Sequence, residues 1–276
     1  MEIGMSVGIT GAVGIAAGAW LRQRHRWNRD RHYERLASHE AETVLKFPVA
    51  LSATVAEPST LAATFDRERV IRTTPFLAPD CLEALRTEAL ATRSEMEPSF
   101  IPLHKQGHTL SYEKVIRLAP RSWSFFRSPQ VVEWLQGVTG VPMLPTPIQD
   151  QSTLSLLCYQ NEGDHIQWHY DHNFYRGRHF TVLLALVNRG DSNGLSRSVF
   201  QRQLPDGGIE EFETAENSLV VFEGGKVRHR ATPAAAGDLR VVLSMTYCAD
   251  PRISWVKEAA RRFKDTAFYG LRALWD

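Results

Sequence analysis

From Ser152 onward the chain alternates short β-prone runs with turns, at 152–159, 179–188, 198–204, 218–223, 227–231 and 239–248. Such runs are rich in Val, Leu, Phe, Thr and Tyr and are bounded by Gly, Asn and Asp. Strands so short and so closely spaced leave no room for a crossover helix between each pair. They satisfy their edges by pairing with one another in an antiparallel sheet that closes or doubles over itself. The sequence therefore predicts a mostly β domain with flanking helices, α+β, around a double-stranded β-helix or jelly roll.

Helices are expected before and after that array. Arg69 to Leu77 reads as an entry strand, and 78–90 as a helix with Pro79 near its start and acids in its first turns. Ser128 and Pro129 mark another helix, over 128–136, with Ser as N-cap and Pro at the first position. Residues 94–116 have no clean periodicity, and His104 and His108 within them read as lone surface histidines. The tail from Ile253 to Trp275 looks helical, with Val256, Ala260, Phe263, Ala267, Leu271 and Leu274 on one side. That side is expected to pack on the domain. Its Lys257, Arg261, Arg262, Lys264 and Arg272, with Trp255 and Trp275, also suit a membrane interface.

The residues with chemical potential fall on the β array. His169 and Asp171 stand two apart, so in extended backbone both point to one face. His229 follows a Gly224-Gly225 turn on a later short strand, and three such groups can form a facial triad for ferrous iron. Arg240 opens an otherwise apolar run to Tyr247. A buried guanidinium is costly without an anion, and it is well shaped for a carboxylate. Each element has a bland alternative: a solvated loop His, a core His at 229, a structural ion pair at Arg240. Their order and their placement on strands favour the metal reading.

His169-x-Asp171, His229 followed by Pro233 and Gly237, and Arg240 resemble the iron(II)- and 2-oxoglutarate-dependent dioxygenase superfamily, in particular its prolyl-4-hydroxylase-like branch. Tyr159 and Gly163 before the first His, and the Arg178-x-x-Thr181 strand running to Asn188, are similar to the same branch, over roughly residues 69–248. The resemblance implies Fe(II) held by His169, Asp171 and His229, with 2-oxoglutarate as cosubstrate and ascorbate as an accessory reductant. It implies that Arg240 pairs with the distal carboxylate of 2-oxoglutarate, with Tyr159 adding a hydrogen bond; Arg178 and Arg230 are the alternative cations. No further catalytic residue is implied beyond the metal ligands. Halogenating relatives lack the carboxylate ligand, so Asp171 favours hydroxylation, with succinate and CO2 released. The chain departs from the pattern where Val242 replaces a hydroxyl residue, and where Asn193-Gly194-Leu195-Ser196 replaces a Gly-Gly pair.

Ile3 to Trp20 is an uncharged run of 18 residues, enough for a helix across about 30 Å of hydrocarbon. Arg22, Arg24, Arg26, Arg29, Arg31 and Arg35 follow it, which by the positive-inside rule keeps the C-terminal side cytoplasmic. A removed leader is the rival reading. The expected organisation is thus a transmembrane anchor at 1–21, a basic stalk or linker at 22–68, the dioxygenase domain at 69–250 and an amphipathic helix at 251–276. The substrate class stays open among lipid, small molecule and protein. A competing class is a non-catalytic membrane-anchored jelly-roll module with a residual metal site, against which the intact triad argues. The balance of 32 basic and 31 acidic residues gives no reason to expect nucleic acid. Cys81, Cys158 and Cys248 share no metal or redox spacing, and Cys158 and Cys248 read as core.

Overall fold

The computed structural model describes residues 46–147, 150–191 and 194–269, with scattered positions between 31 and 43. The first helices are α1 (Pro58–Glu68), α2 (Pro79–Ala91), α3 (Tyr112–Leu118), α4 (Pro120–Arg127) and α5 (Pro129–Thr139). Helices α1, α2, α4 and α5 each begin on a proline, whose missing N–H costs nothing in the first turn. Ser128 stands at the N-cap of α5, but its hydroxyl makes no capping hydrogen bond there. Proline alone marks that start.

The strands are β1 (Val70–Thr73), β2 (Glu97–Ile101), β3 (Lys105–Leu110), β4 (Leu144–Pro145), β5 (Leu154–Tyr159) and β6 (His165–His169). They continue as β7 (His179–Arg189), β8 (Phe200–Gln203), β9 (Ile209–Phe212), β10 (Leu219–Phe222), β11 (His229–Ala231) and β12 (Leu239–Cys248). All ladders are antiparallel, in the order β1-β10-β7-β12-β5-β3-β6-β11-β8-β9, with β2 on β3 and β4 on β12. This is the jelly-roll-like β architecture with flanking helices that the spacing of runs predicts.

Period-two alternation divides the long strands between two environments. On β12, Val241, Leu243, Met245 and Tyr247 enter the main core, while Arg240, Val242, Ser244 and Thr246 face a cavity inside the sheet. Likewise β7 sends Phe180, Val182 and Leu184 to the core and Thr181 and Leu183 to the cavity. Strand β5 does the same with Leu154, Leu156 and Cys158 against Ser155, Leu157 and Tyr159. The helices seal the core face with Phe65, Trp123, Phe125, Phe126, Trp134 and Leu135, all buried. Fully burying side chains of this size contributes roughly 1.5–3 kcal/mol each. The sheet is therefore held rigid from behind while its inner face stays free for polar groups.

Three segments differ from their reading in the sequence. Residues 94–116 hold the β2–β3 hairpin and the start of α3. Their periodicity is faint because β2 is an outer strand with Glu97, Pro98 and Phe100 exposed. Val49, Leu51, Val55 and Leu61, placed in the linker by the sequence, pack against the main core, and Phe65 is 1% exposed within it. The tail forms α6 (Trp255–Tyr269) and does rest on the domain, yet through its charged side. Val256 and Phe263 remain 56% and 78% exposed, because the surface beneath offers carbonyls and a carboxylate in place of an apolar groove. The expected span from Ile3 to Trp20 lies outside the described residues. Among the described residues, no helix is long and apolar enough to cross a membrane.

Candidate metal centre

Strands β6 and β11 are neighbours, and their register sets His229 opposite His169. Asp171 lies just past the end of β6, tethered by its own N–H to the Gly224 carbonyl at 3.0 Å. One ligand atom from each of His169, Asp171 and His229 lies within 4.8 Å of the others. His169 Nε2 and His229 Nε2 stand 3.5 Å and 3.8 Å from Asp171 Oδ1. Both imidazoles are oriented through Nδ1, by the carbonyls of Gln167 at 2.7 Å and Val227 at 3.0 Å. A proton on Nδ1 leaves Nε2 with its lone pair turned toward the shared point, the arrangement that metal-binding histidines require.

The electrostatics suit a cation at that point. Burial alone would raise the Asp171 carboxyl, but the facing His229 and His169 rings and the Thr181 hydroxyl hold it well below the usual carboxylate range. Burial pulls His229 down to about 4, against the opposing pull of Asp171, so its ring is neutral at neutral pH. Two imidazoles and one carboxylate on one side of a cavity form a donor set that fits ferrous iron with positions open.

Outer contacts fix the carboxylate. The Thr181 hydroxyl donates to Asp171 Oδ2, which orients Asp171 from β7. Gly224 is the other support: a Cβ there would stand 2.5 Å from Asp171 Oδ2 and 2.9 Å from Thr181 Oγ1. Gly224→Ala is accordingly expected to push the carboxylate out of place and weaken iron binding by about 10–100-fold, as loss of an outer-shell partner does. Calorimetric titration with ferrous iron under anaerobic conditions measures it. Unchanged affinity would show that Asp171 has room to shift.

The triad opens on a cavity of about 210 Å³. Arg240 lines it and is 3% exposed. Among the described residues its Nε has no hydrogen-bond partner and no carboxylate pairs with it. Burial lowers its affinity for its proton. The register pairs Arg240 with Tyr159 across β12 and β5, and the guanidinium sits 5.4 Å from the centre of the Tyr159 ring. Tyr159 thus meets Arg240 through its π face. Arg178, by contrast, is engaged with Glu223 at 3.0 Å, and Arg230 with Gln201 at 2.7 Å and the Trp168 ring at 4.5 Å.

Several lining residues escape a reading of the sequence. His104 is no lone surface histidine; it lines the cavity with its ring 5.5 Å from that of His169. Lys105 also lines it, nearly buried, with its ammonium pulled by burial down to about 8. His179 is 5% exposed, with its Nδ1 lacking a partner among the described residues. Only its position two before Thr181 on the same strand face signals its place. Val242, where the family pattern has a hydroxyl, is followed on the cavity face by Ser244, paired with Ser155.

Comparison with solved structures places this architecture. A prolyl-4-hydroxylase of Pseudomonas putida matches 70% of this chain and 98% of its own, at 17% identity and a TM-score of 0.55. A Trichoplax adhaerens prolyl hydroxylase, solved with a hypoxia inducible factor oxygen degradation domain peptide, matches 73% of this chain and 91% of its own (14% identity, TM-score 0.58). SnoN, a non-heme alpha-ketoglutarate-dependent epimerase of nogalamycin biosynthesis, matches 69% and 80% (14% identity, TM-score 0.56). No family model and no curated protein matches the chain. The chain has the fold of the iron(II)- and 2-oxoglutarate-dependent dioxygenases, as the resemblance in its sequence implies. Its structural neighbours include the prolyl-4-hydroxylase branch of that superfamily.

Proposed function

We propose that the chain is an Fe(II)- and 2-oxoglutarate-dependent dioxygenase that hydroxylates its substrate. The observation that carries this is Arg240, a buried cation with no carboxylate partner among the described residues, in the same cavity as the triad. A structural ion pair would have supplied its own anion; a cosubstrate carboxylate supplies it here. His169, Asp171 and His229 would hold the iron. When bound, iron with 2-oxoglutarate supplies the power to oxidise a C–H bond, the cosubstrate leaving as succinate and CO2. The chain's own part is to bind and orient. Arg240 takes the distal carboxylate against the Tyr159 ring, and Leu183, Phe200 and Phe222 exclude water from the inner wall.

The proposal includes a membrane address. Residues 1–21 act as a single span, and the arginines from 22 to 35 hold the domain on the cytoplasmic side. Protease added to sealed vesicles with that face outward would then digest the domain.

The direct test is succinate formation by full-length protein given ferrous iron and 2-oxoglutarate, with 2-oxoglutarate also titrated by calorimetry. Slow succinate release without a second substrate is expected. Iron binding with no affinity for 2-oxoglutarate would instead mark a non-catalytic module with a residual metal site.

A further inference from the structure

Helix α6 rests on the domain through groups that normally face water. Lys264 Nζ donates to Ser152 Oγ at 2.8 Å and lies 3.6 Å from Asp150 Oδ1. Lys257 Nζ donates to the carbonyls of Asn173 at 3.4 Å and Tyr175 at 3.3 Å. Arg261, 5% exposed, pairs with Glu258 at 2.8 Å. The outward side carries Trp255, Val256 and Phe263, at 84%, 56% and 78% exposure. Strand β2 lies against this helix, and its hairpin adds Phe100 at 65% and Leu103 at 97%. A single exposed apolar side chain needs no explanation. Five on an exposed helix and the hairpin whose strand touches it are the kind of feature that marks a contact surface.

Charge says what kind of surface. Arg176, Arg252, Lys257 and Arg262 are exposed around the helix, and the Arg176 N–H donates to the Arg252 carbonyl, which joins the two segments. Asp250 pairs with Arg252, and Glu258 with Arg261 and Arg262, so cations outnumber these carboxylates around the helix. Aromatic and aliphatic side chains projecting between arginines and lysines suit the boundary between headgroups and acyl chains of an anionic bilayer.

We propose that α6 and the β2–β3 hairpin dock on an anionic membrane surface, with Trp255, Val256, Phe263 and Leu103 entering the boundary layer. The run from Ile3 to Trp20 and the arginines after it would bring the domain to such a surface. Helix α6 adjoins the cavity from its inward side, where Lys264 lines it, and His172 and Tyr170, the latter 50% exposed, line it as well. Docking would hold this cavity beside the bilayer, within reach of an amphiphilic substrate with an alkyl chain. That consequence rests on the oxygenase reading; the docking itself does not.

The test uses the full chain with Cys81→Ser and one added cysteine carrying an environment-sensitive fluorophore. Ala260→Cys places it on the outward side of α6, and Ile209→Cys, on an exposed apolar position of β9, serves as control. Reconstitution is in phosphatidylcholine–phosphatidylserine vesicles with doxyl-labelled acyl chains. The label at 260 is expected to be quenched several-fold more than that at 209. The excess should fall in phosphatidylcholine alone or at high salt, and should vanish with Trp255→Ser and Phe263→Ser together. Equal quenching at both positions, or none at 260, overturns the proposal. So does a label at 260 that is shielded without lipid and depends on protein concentration, since a second copy would then cover the face. The readout needs neither iron nor turnover, so its failure is distinguishable from failure of the oxygenase reading.

Discussion

Replacing His229 by alanine should abolish succinate formation from 2-oxoglutarate while leaving a folded domain. His229 is one of three groups whose ligand atoms lie within 4.8 Å, and it shares the Asp171 carboxylate with His169. Removing an outer-shell partner of a metal costs about 10–100-fold, and removing a ligand itself should cost more. His169→Ala and Asp171→Ala should behave in the same way. Folding should survive because the site lies on the inner face of the sheet. The main core, from Phe65 to Tyr247, sits on the other. Two measurements check this: succinate release, and near-ultraviolet circular dichroism to report intact aromatic packing. Near-normal turnover in any one variant would remove that residue from the iron site.

Arg240→Met should show a different signature. The Michaelis constant for 2-oxoglutarate is expected to rise some tens- to hundreds-fold. A charge-assisted pair in a shielded pocket is worth on the order of 2–4 kcal/mol. Without ligand, the variant should be no less stable than the parent. Methionine keeps much of the volume and removes a buried cation whose Nε has no partner among the described residues. A structural ion pair predicts the reverse, since breaking one leaves an uncompensated charge. Thermal melts with and without 2-oxoglutarate separate the two. The parent should gain stability from the ligand and the variant should not. An unchanged Michaelis constant would move attention to Lys105, which the fold brings into the same cavity.

Much of this site is legible in the chain because it obeys local rules. His169 and Asp171 are two apart, at the end of a strand and just beyond it. Arg240 is the second residue of a strand whose alternate residues are apolar, so period two alone separates it from the core face. The β-prone runs were visible for the same reason, and all six coincide with observed strands to within two residues at each end.

What the chain order cannot express is who stands across from whom. Gly224 looks like one of two turn glycines, yet a Cβ on it would strike Asp171, 53 positions earlier in the sequence. His104 and Lys105 sit in a segment with no periodicity, and reach the cavity only because β3 pairs with both β5 and β6. The tail shows the limit most clearly. Its apolar stripe is a property of the sequence, and periodicity locates Val256, Ala260 and Phe263 on one side of a helix. Which side meets the domain depends on what that surface presents. Here Asp150 and the carbonyls of Asn173 and Tyr175 draw in lysines, and the apolar side is left facing out. Composition and spacing determine the elements and the chemistry each can carry; register and packing decide which of those groups meet.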